Sequence, residues 1–149
     1  MPSPYFENYG IRTITAATVT ITADGYVGTR IVLTRAAGIT LTLPPATGSG
    51  NRYEIILGAT VTSNSTIIRV VGDDVMRGNA LMAQDAGDTS VMFETAADSD
   101  TITFNGGTTG GFAGNAITLD DIAADTWRVW VVGSATGTEA TPFSATVTP

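Results

Sequence analysis

The sequence predicts an all-β protein, a single sandwich or barrel of roughly eight to ten short strands with an extended N-terminal arm. Three observations predict it. Apolar and polar residues alternate with period two along most of the chain, as in strands that bury one face. Turn residues separate these runs at intervals of roughly 8–12 residues. Thr and Val, which suit a pleated and half-buried surface, are abundant, and 17 Gly punctuate them. The reading divides the chain into an arm, residues 1–12, and one domain, residues 13–149.

In the arm, Pro2 and Pro4 keep the backbone extended, and Tyr5, Phe6 and Tyr9 crowd the segment. Three aromatics are of little use to an arm free in water, so they are expected to dock on their own domain or on a neighbouring subunit. Thr18-Val-Thr-Ile-Thr22 alternates cleanly, while Ile14 and Ala16 precede it out of phase, which predicts a bulge near Ala16-Ala17. Asp24-Gly25 predicts a hairpin-type turn. Strands are expected at Arg30–Thr34, at Ile39–Leu43 after the break at Gly38, at Tyr53–Leu57 after the Pro44–Gly50 loop, and at Ser65–Val71. Residues 73–89 carry no clear period and are read as a loop. Ser90–Thr95 and Thr101–Phe104 follow as strands, then the glycine-rich loop Asn105–Gly111. Ala116–Leu119 and Thr126–Val132 flank a turn at Asp120–Asp125, and the tail from Gly133 is small and polar.

Composition excludes much chemistry. The chain has no Cys and no His, so disulfides, thiolate nucleophiles, Ser-His triads and the commonest zinc ligand are absent. All seven cations are Arg (12, 30, 35, 52, 69, 77, 128), which also removes Schiff-base lysines and the phosphate-loop lysine. Net charge is −7, divided unevenly: residues 1–70 sum to +2 and residues 71–149 to −9. So acidic a half opposes nucleic-acid binding. No run approaches the roughly 18 apolar residues of a membrane helix, and Met1–Gly10 lacks the basic and apolar regions of a signal peptide. Cytoplasmic synthesis and no membrane partner are the expectations.

Acid pairs recur at Asp73-Asp74, Asp98-Ser-Asp100 and Asp120-Asp121. Paired carboxylates could serve glycoside hydrolysis or hold calcium. Each pair is nevertheless read at a strand turn, where Asp bonds nearby backbone N–H groups, and turn chemistry is the preferred reading. Gly106–Gly114 lacks a Lys-Ser/Thr ending and a following helix, so it is read as a surface loop rather than a phosphate cradle. Asn64-Ser65-Thr66 matches a glycosylation acceptor. Trp127 and Trp130, three apart in a strand, face opposite sides. One is expected in the core, and the other is a subunit anchor, a sugar platform or further core. No catalytic, cofactor or metal residues are assigned, and the protein is read as not an enzyme.

Two stretches carry a resemblance. Ile39-Thr-Leu-Thr-Leu-Pro-Pro-Ala, a Gly/Ser loop and Arg52-Tyr-Glu-Ile-Ile form the first. Gly110-Gly-Phe-Ala-Gly-Asn-Ala-Ile-Thr-Leu119, Asp125-Thr-Trp-Arg-Val-Trp-Val and Ala140-Thr-Pro-Phe-Ser form the second. Together they resemble segments of tailed-phage virion proteins, in particular small β-rich capsid decoration proteins. The resemblance implies a homotrimer that binds the major capsid protein on the outer head surface and bridges its subunits, with no enzymatic residues. The alternative it leaves is a host-recognition module of a fibre or spike, binding glycan through Trp and Asp in exposed loops. Tyr5, Phe6, Tyr9 and Trp130 are the expected interface residues, with the mildly basic half facing the lattice.

Overall fold

The computed structural model describes residues 10–147, and over its first six strands the chain crosses between two sheets at every step. β1 (Ile11–Ile14) lies in one sheet and β2 (Thr18–Thr20) in the other. A single helical turn, α1 (Ala23–Tyr26), leads back to β3 (Arg30–Leu33), and β4 (Thr40–Thr42), β5 (Arg52–Leu57) and β6 (Thr66–Arg69) continue the alternation. Neighbours within each sheet therefore run parallel, β1 beside β3 beside β5 and β2 beside β4 beside β6. Parallel neighbours need a crossover, and here the opposite sheet supplies it.

The remaining strands are joined differently. β7 (Val75–Gln84) and β8 (Ser90–Glu94) form an antiparallel hairpin, as do β10 (Ala116–Ala123) and β11 (Thr126–Ala135). β9 (Thr101–Phe104) and β12 (Phe143–Ser144) are antiparallel members of the other sheet. The seven-stranded sheet has the order β1-β3-β5-β10-β11-β7-β8, and the five-stranded sheet β12-β9-β6-β4-β2. The architecture is an all-β sandwich, as the alternation predicts, with twelve strands among the described residues.

Alternation is what makes the sandwich close. Ile31, Leu33, Tyr53, Ile55, Leu57, Ile117, Leu119, Trp127, Val129 and Val131 point inward from the larger sheet and are all but fully buried. Leu41, Ile68, Ile102 and Phe104 meet them from the smaller sheet in a single core. The ring of Tyr53 lies edge-on to Trp127, with centroids 5.7 Å apart and planes at 65°. Each large side chain buried this completely stabilises the fold by about 2–3 kcal/mol.

The structure corrects four expectations. The phase break before Thr18 is no bulge: Ile14 faces the core from one sheet and Thr18 begins a strand in the other, so a corner lies between them. Asp24-Gly25 is part of α1 and links strands of different sheets rather than a hairpin. Residues 75–84, read as loop, are one of the two longest strands, paired on both sides. Their period of two was hidden because the inward positions Gly78 and Ala80 are small. Gly78 is required there: its φ is +154°, and a Cβ would lie 1.7 Å from the Val129 carbonyl oxygen. Finally, Asp120 and Asp121 belong to β10 rather than to a turn.

Two further points concern the ends and the charges. Tyr5, Phe6 and Tyr9 lie outside the described residues, and within them pairing begins at Ile11 with Arg30. The basic and acidic halves of the sequence do not form two faces, because β1, β3 and β5 share a sheet with β7, β8, β10 and β11. Among the described residues no helix is long and apolar enough to cross a membrane.

Candidate interaction face

Residues paired across a ladder point to the same side of a sheet, so the registers define the outer face of the seven-stranded sheet row by row. One row is apolar across six strands: Val32, Ile56, Ala116, Val132, Leu81 and Met92. At the usual strand spacing it is roughly 24 Å long. Val132 is 43% exposed and Met92 57% exposed, and the four between them and the β3 end are half-buried among their neighbours. The next row runs Arg30, Glu54, Thr118, Trp130, Asn79 and Glu94, which puts the half-buried Trp130 near the middle of the sheet. A third row holds Arg52, Asp120, Arg128 and Arg77.

Within the charged row Asp120 ties two of the three arginines together. Arg52 donates to both oxygens of Asp120, Nε to Oδ1 at 2.6 Å and Nη2 to Oδ2 at 3.3 Å, while Arg128 Nη1 donates to Oδ2 at 3.0 Å. The hydrogen bond from Arg52, reinforced by Arg128 against partial burial, holds the Asp120 carboxyl below the usual carboxylate range. Arg77 Nη1 donates instead to the carbonyls of Ala96 and Ala97, at 3.1 and 2.6 Å. This face thus carries four arginines and three carboxylates on a chain of net charge −7.

Of the other aspartates singled out by the sequence, Asp73 and Asp98 are exposed, while Asp74, Asp100 and Asp121 hold backbone in place. Asp121 is buried and faces inward from β10 beneath the Thr47–Ser49 corner. It accepts from the N–H groups of Thr47 (3.0 Å), Gly48 (2.7 Å) and Ser49 (3.1 Å), and from the hydroxyls of Thr47 (3.1 Å) and Ser49 (2.6 Å). Burial alone would raise its pKa, but these donors outweigh burial and bring it down to about 2. Asp74 accepts from the Ala46 N–H at 2.7 Å and the Trp127 Nε1–H at 3.3 Å, and burial pushes its carboxyl up. Asp100 accepts from the Thr101 hydroxyl and from the N–H groups of Thr146 (2.8 Å) and Val147 (3.0 Å), fixing the C-terminal segment beside β9. The expected turn chemistry, Asp bonding nearby backbone N–H groups, is not what these three do: each ties down backbone 28 or more residues away in sequence, and Asp121 does so from within a strand. Among the described residues no group of three or more His, Cys, Asp or Glu is placed to hold a metal ion.

Of the expected interface residues, Trp130 lies on the outer face and Trp127 in the core, which resolves the pair as their spacing predicts. Neither tryptophan is in a loop, so the glycan-binding alternative loses the exposed-loop Trp on which it was framed. The apolar row itself was not legible: Leu81 fell in the stretch read as loop, and Val32, Ile56, Ala116 and Val132 are adjacent only once the register is known. No protein-family model, curated protein or solved structure matches the chain.

Proposed function

We propose that the protein is a structural interaction module that works by burying the outer face of its seven-stranded sheet, and that the surface it covers is a phage capsid lattice. The observation that supports this reading is the apolar row from Val32 to Met92 with Trp130 beside it. A sheet face lined this way gives up apolar surface to a complementary partner at about 25 cal/mol per Å², less the cost of association. An aromatic near its middle is suited to act as an anchor. Arg128, which gives only Nη1 to Asp120, keeps further N–H donors for a carboxylate of the covered subunits. The capsid as partner, and the outer head surface as location, rest on the sequence resemblance to decoration proteins. The arm aromatics Tyr5, Phe6 and Tyr9 would add contacts on a neighbouring subunit.

Cryo-electron microscopy of the virions whose genome encodes the chain tests the reading. Copies should sit on the outer head with the seven-stranded sheet against the shell. Density at the tail tip would favour the host-recognition alternative, and density nowhere on the particle would overturn both. In co-sedimentation with the same heads emptied of the protein, Trp130→Ala and Val132→Asp should each bind at least tenfold more weakly than wild type. Both should keep the wild-type circular dichroism.

A further inference from the structure

β8 ends the seven-stranded sheet, and among the described residues no strand pairs with its outer edge. Its hydrogen-bonding parity follows from the bonds at the two ends of the β7–β8 hairpin. Gln84 N–H donates to the Thr89 carbonyl at 3.1 Å, and Thr95 N–H to the Gly78 carbonyl at 3.0 Å. In an antiparallel ladder hydrogen-bonded pairs alternate with non-bonded ones. The backbone groups of Thr89, Val91, Phe93 and Thr95 therefore face β7, and those of Ser90, Met92 and Glu94 face away from the sheet. Met92 is the middle residue of the strand and 57% exposed. Edges are usually guarded by Lys, Pro or a bulge, whereas Ser90-Val-Met-Phe-Glu94 offers only a terminal Glu.

We propose that two copies of this chain associate edge to edge through β8, antiparallel, about a two-fold axis at Met92. In that register Met92 meets Met92, Val91 meets Phe93, and Ser90 meets Glu94. All three residues with outward backbone groups then become hydrogen-bonded pairs, giving six N–H···O=C bonds across the axis. No carboxylate opposes another: Glu94 lies against Ser90. Continued two residues further, the register carries Asp88 towards Ala96 of the second copy, whose carbonyl holds the Arg77 guanidinium at 3.1 Å. A cation would thus be waiting for the acidic turn. The pairing joins two seven-stranded sheets end to end, and their apolar rows meet at Met92. It depends on the edge alone, whatever the outer face covers.

Sedimentation velocity of the full chain from about 1 to 100 µM should show a species of twice the 15.3 kDa chain mass. Met92→Lys places like charges on the axis through an exposed side chain and should weaken that dimer at least tenfold while keeping the β signal. An equimolar mixture of Met92→Lys and Met92→Asp should restore it. Because the chain has no cysteine, Met92→Cys gives an independent test. A hydrogen-bonded antiparallel pair brings Cα atoms to about 5.5 Å, within disulfide range, so mild oxidation should yield a covalent dimer. Val132→Cys, in the middle of the sheet face, should form no covalent dimer under the same treatment. A monomer throughout the range, a trimer, a dimer indifferent to Met92→Lys, or crosslinking at position 132 and not at 92 would each overturn the proposal.

Discussion

The strands up to β6 and those from β7 onward form the same two sheets by different routes. Up to β6, consecutive strands never pair; every one leaves for the opposite sheet, and each neighbour is parallel. From β7 onward, two hairpins supply four strands, and among the described residues the only parallel pairing is β7 beside β11. The two parts meet along β5–β10 in one sheet and β6–β9 in the other. That seam is also where two of the buried carboxylates act, since Asp121 of β10 holds Thr47–Ser49 and Asp74 holds Ala46. A corner between sheets has no ladder to satisfy its N–H groups, and here side chains from later in the chain supply what the ladder cannot.

The comparison can be broken most severely at Gly78. Gly78→Ala sets a methyl 1.7 Å from a β11 carbonyl at a φ that disfavours side chains, so the one parallel junction among the later strands must open. Loss of about 4 kcal/mol or more, or no folded protein, is expected in thermal melts. Asp121→Ala comes next. Three N–H groups of the exposed Thr47–Ser49 corner lose their acceptor, which should cost about 2 kcal/mol in urea unfolding, with exchange protection lost first at that corner. The same group predicts a pH effect. A carboxyl at about 2 in the fold and 3.8 outside it stabilises the protein fully above pH 3.8 and loses that contribution as pH falls toward 2. The loss is on the order of 2 kcal/mol and should vanish in the Asp121→Ala variant.

Asp74 sharpens the contrast because its sign is opposite. Burial raises its pKa, so its contribution is present below 3.8 and declines as pH rises through the raised value. Asp74→Asn keeps an acceptor for Ala46 and Trp127 and removes the buried charge. Stability at pH 7 should change by no more than about 1 kcal/mol, and not necessarily downward. Smallest of all, Asp98→Ala alters an exposed turn residue and should move the melting midpoint within error, whereas Asp100→Ala should free the Thr146–Val147 segment.

How far the sequence could be read tracks this same division. Strands up to β6 lie close to where alternation puts them, since Leu41, Ile55 and Ile68 mark a buried face clearly. Their connections were misjudged, because Asp24-Gly25 looks alike in a hairpin and in a one-turn helix bridging two sheets. β7 was missed for a different reason: where a strand packs backbone to backbone, Gly78 and Ala80 replace the large residues that make alternation visible. Of the interaction face, Trp130 was legible from its spacing to Trp127. The row beside it required the register, which is a property of pairs of strands rather than of any one segment.

The winding of β1 to β6 also bears on how the protein is made. As the chain leaves the ribosome, these strands can stack rung on rung, yet β5 and β6 each keep an unpaired edge until β10 and β9 have emerged. Almost half the polypeptide must therefore wait, with two open edges, for the strands that seal it. Contacts of such long sequence separation place folding on the millisecond-to-second scale. Trp127, which meets Tyr53 edge-on only once that seal has formed, reports the closing step through a change in its fluorescence, most cleanly in a Trp130→Phe background.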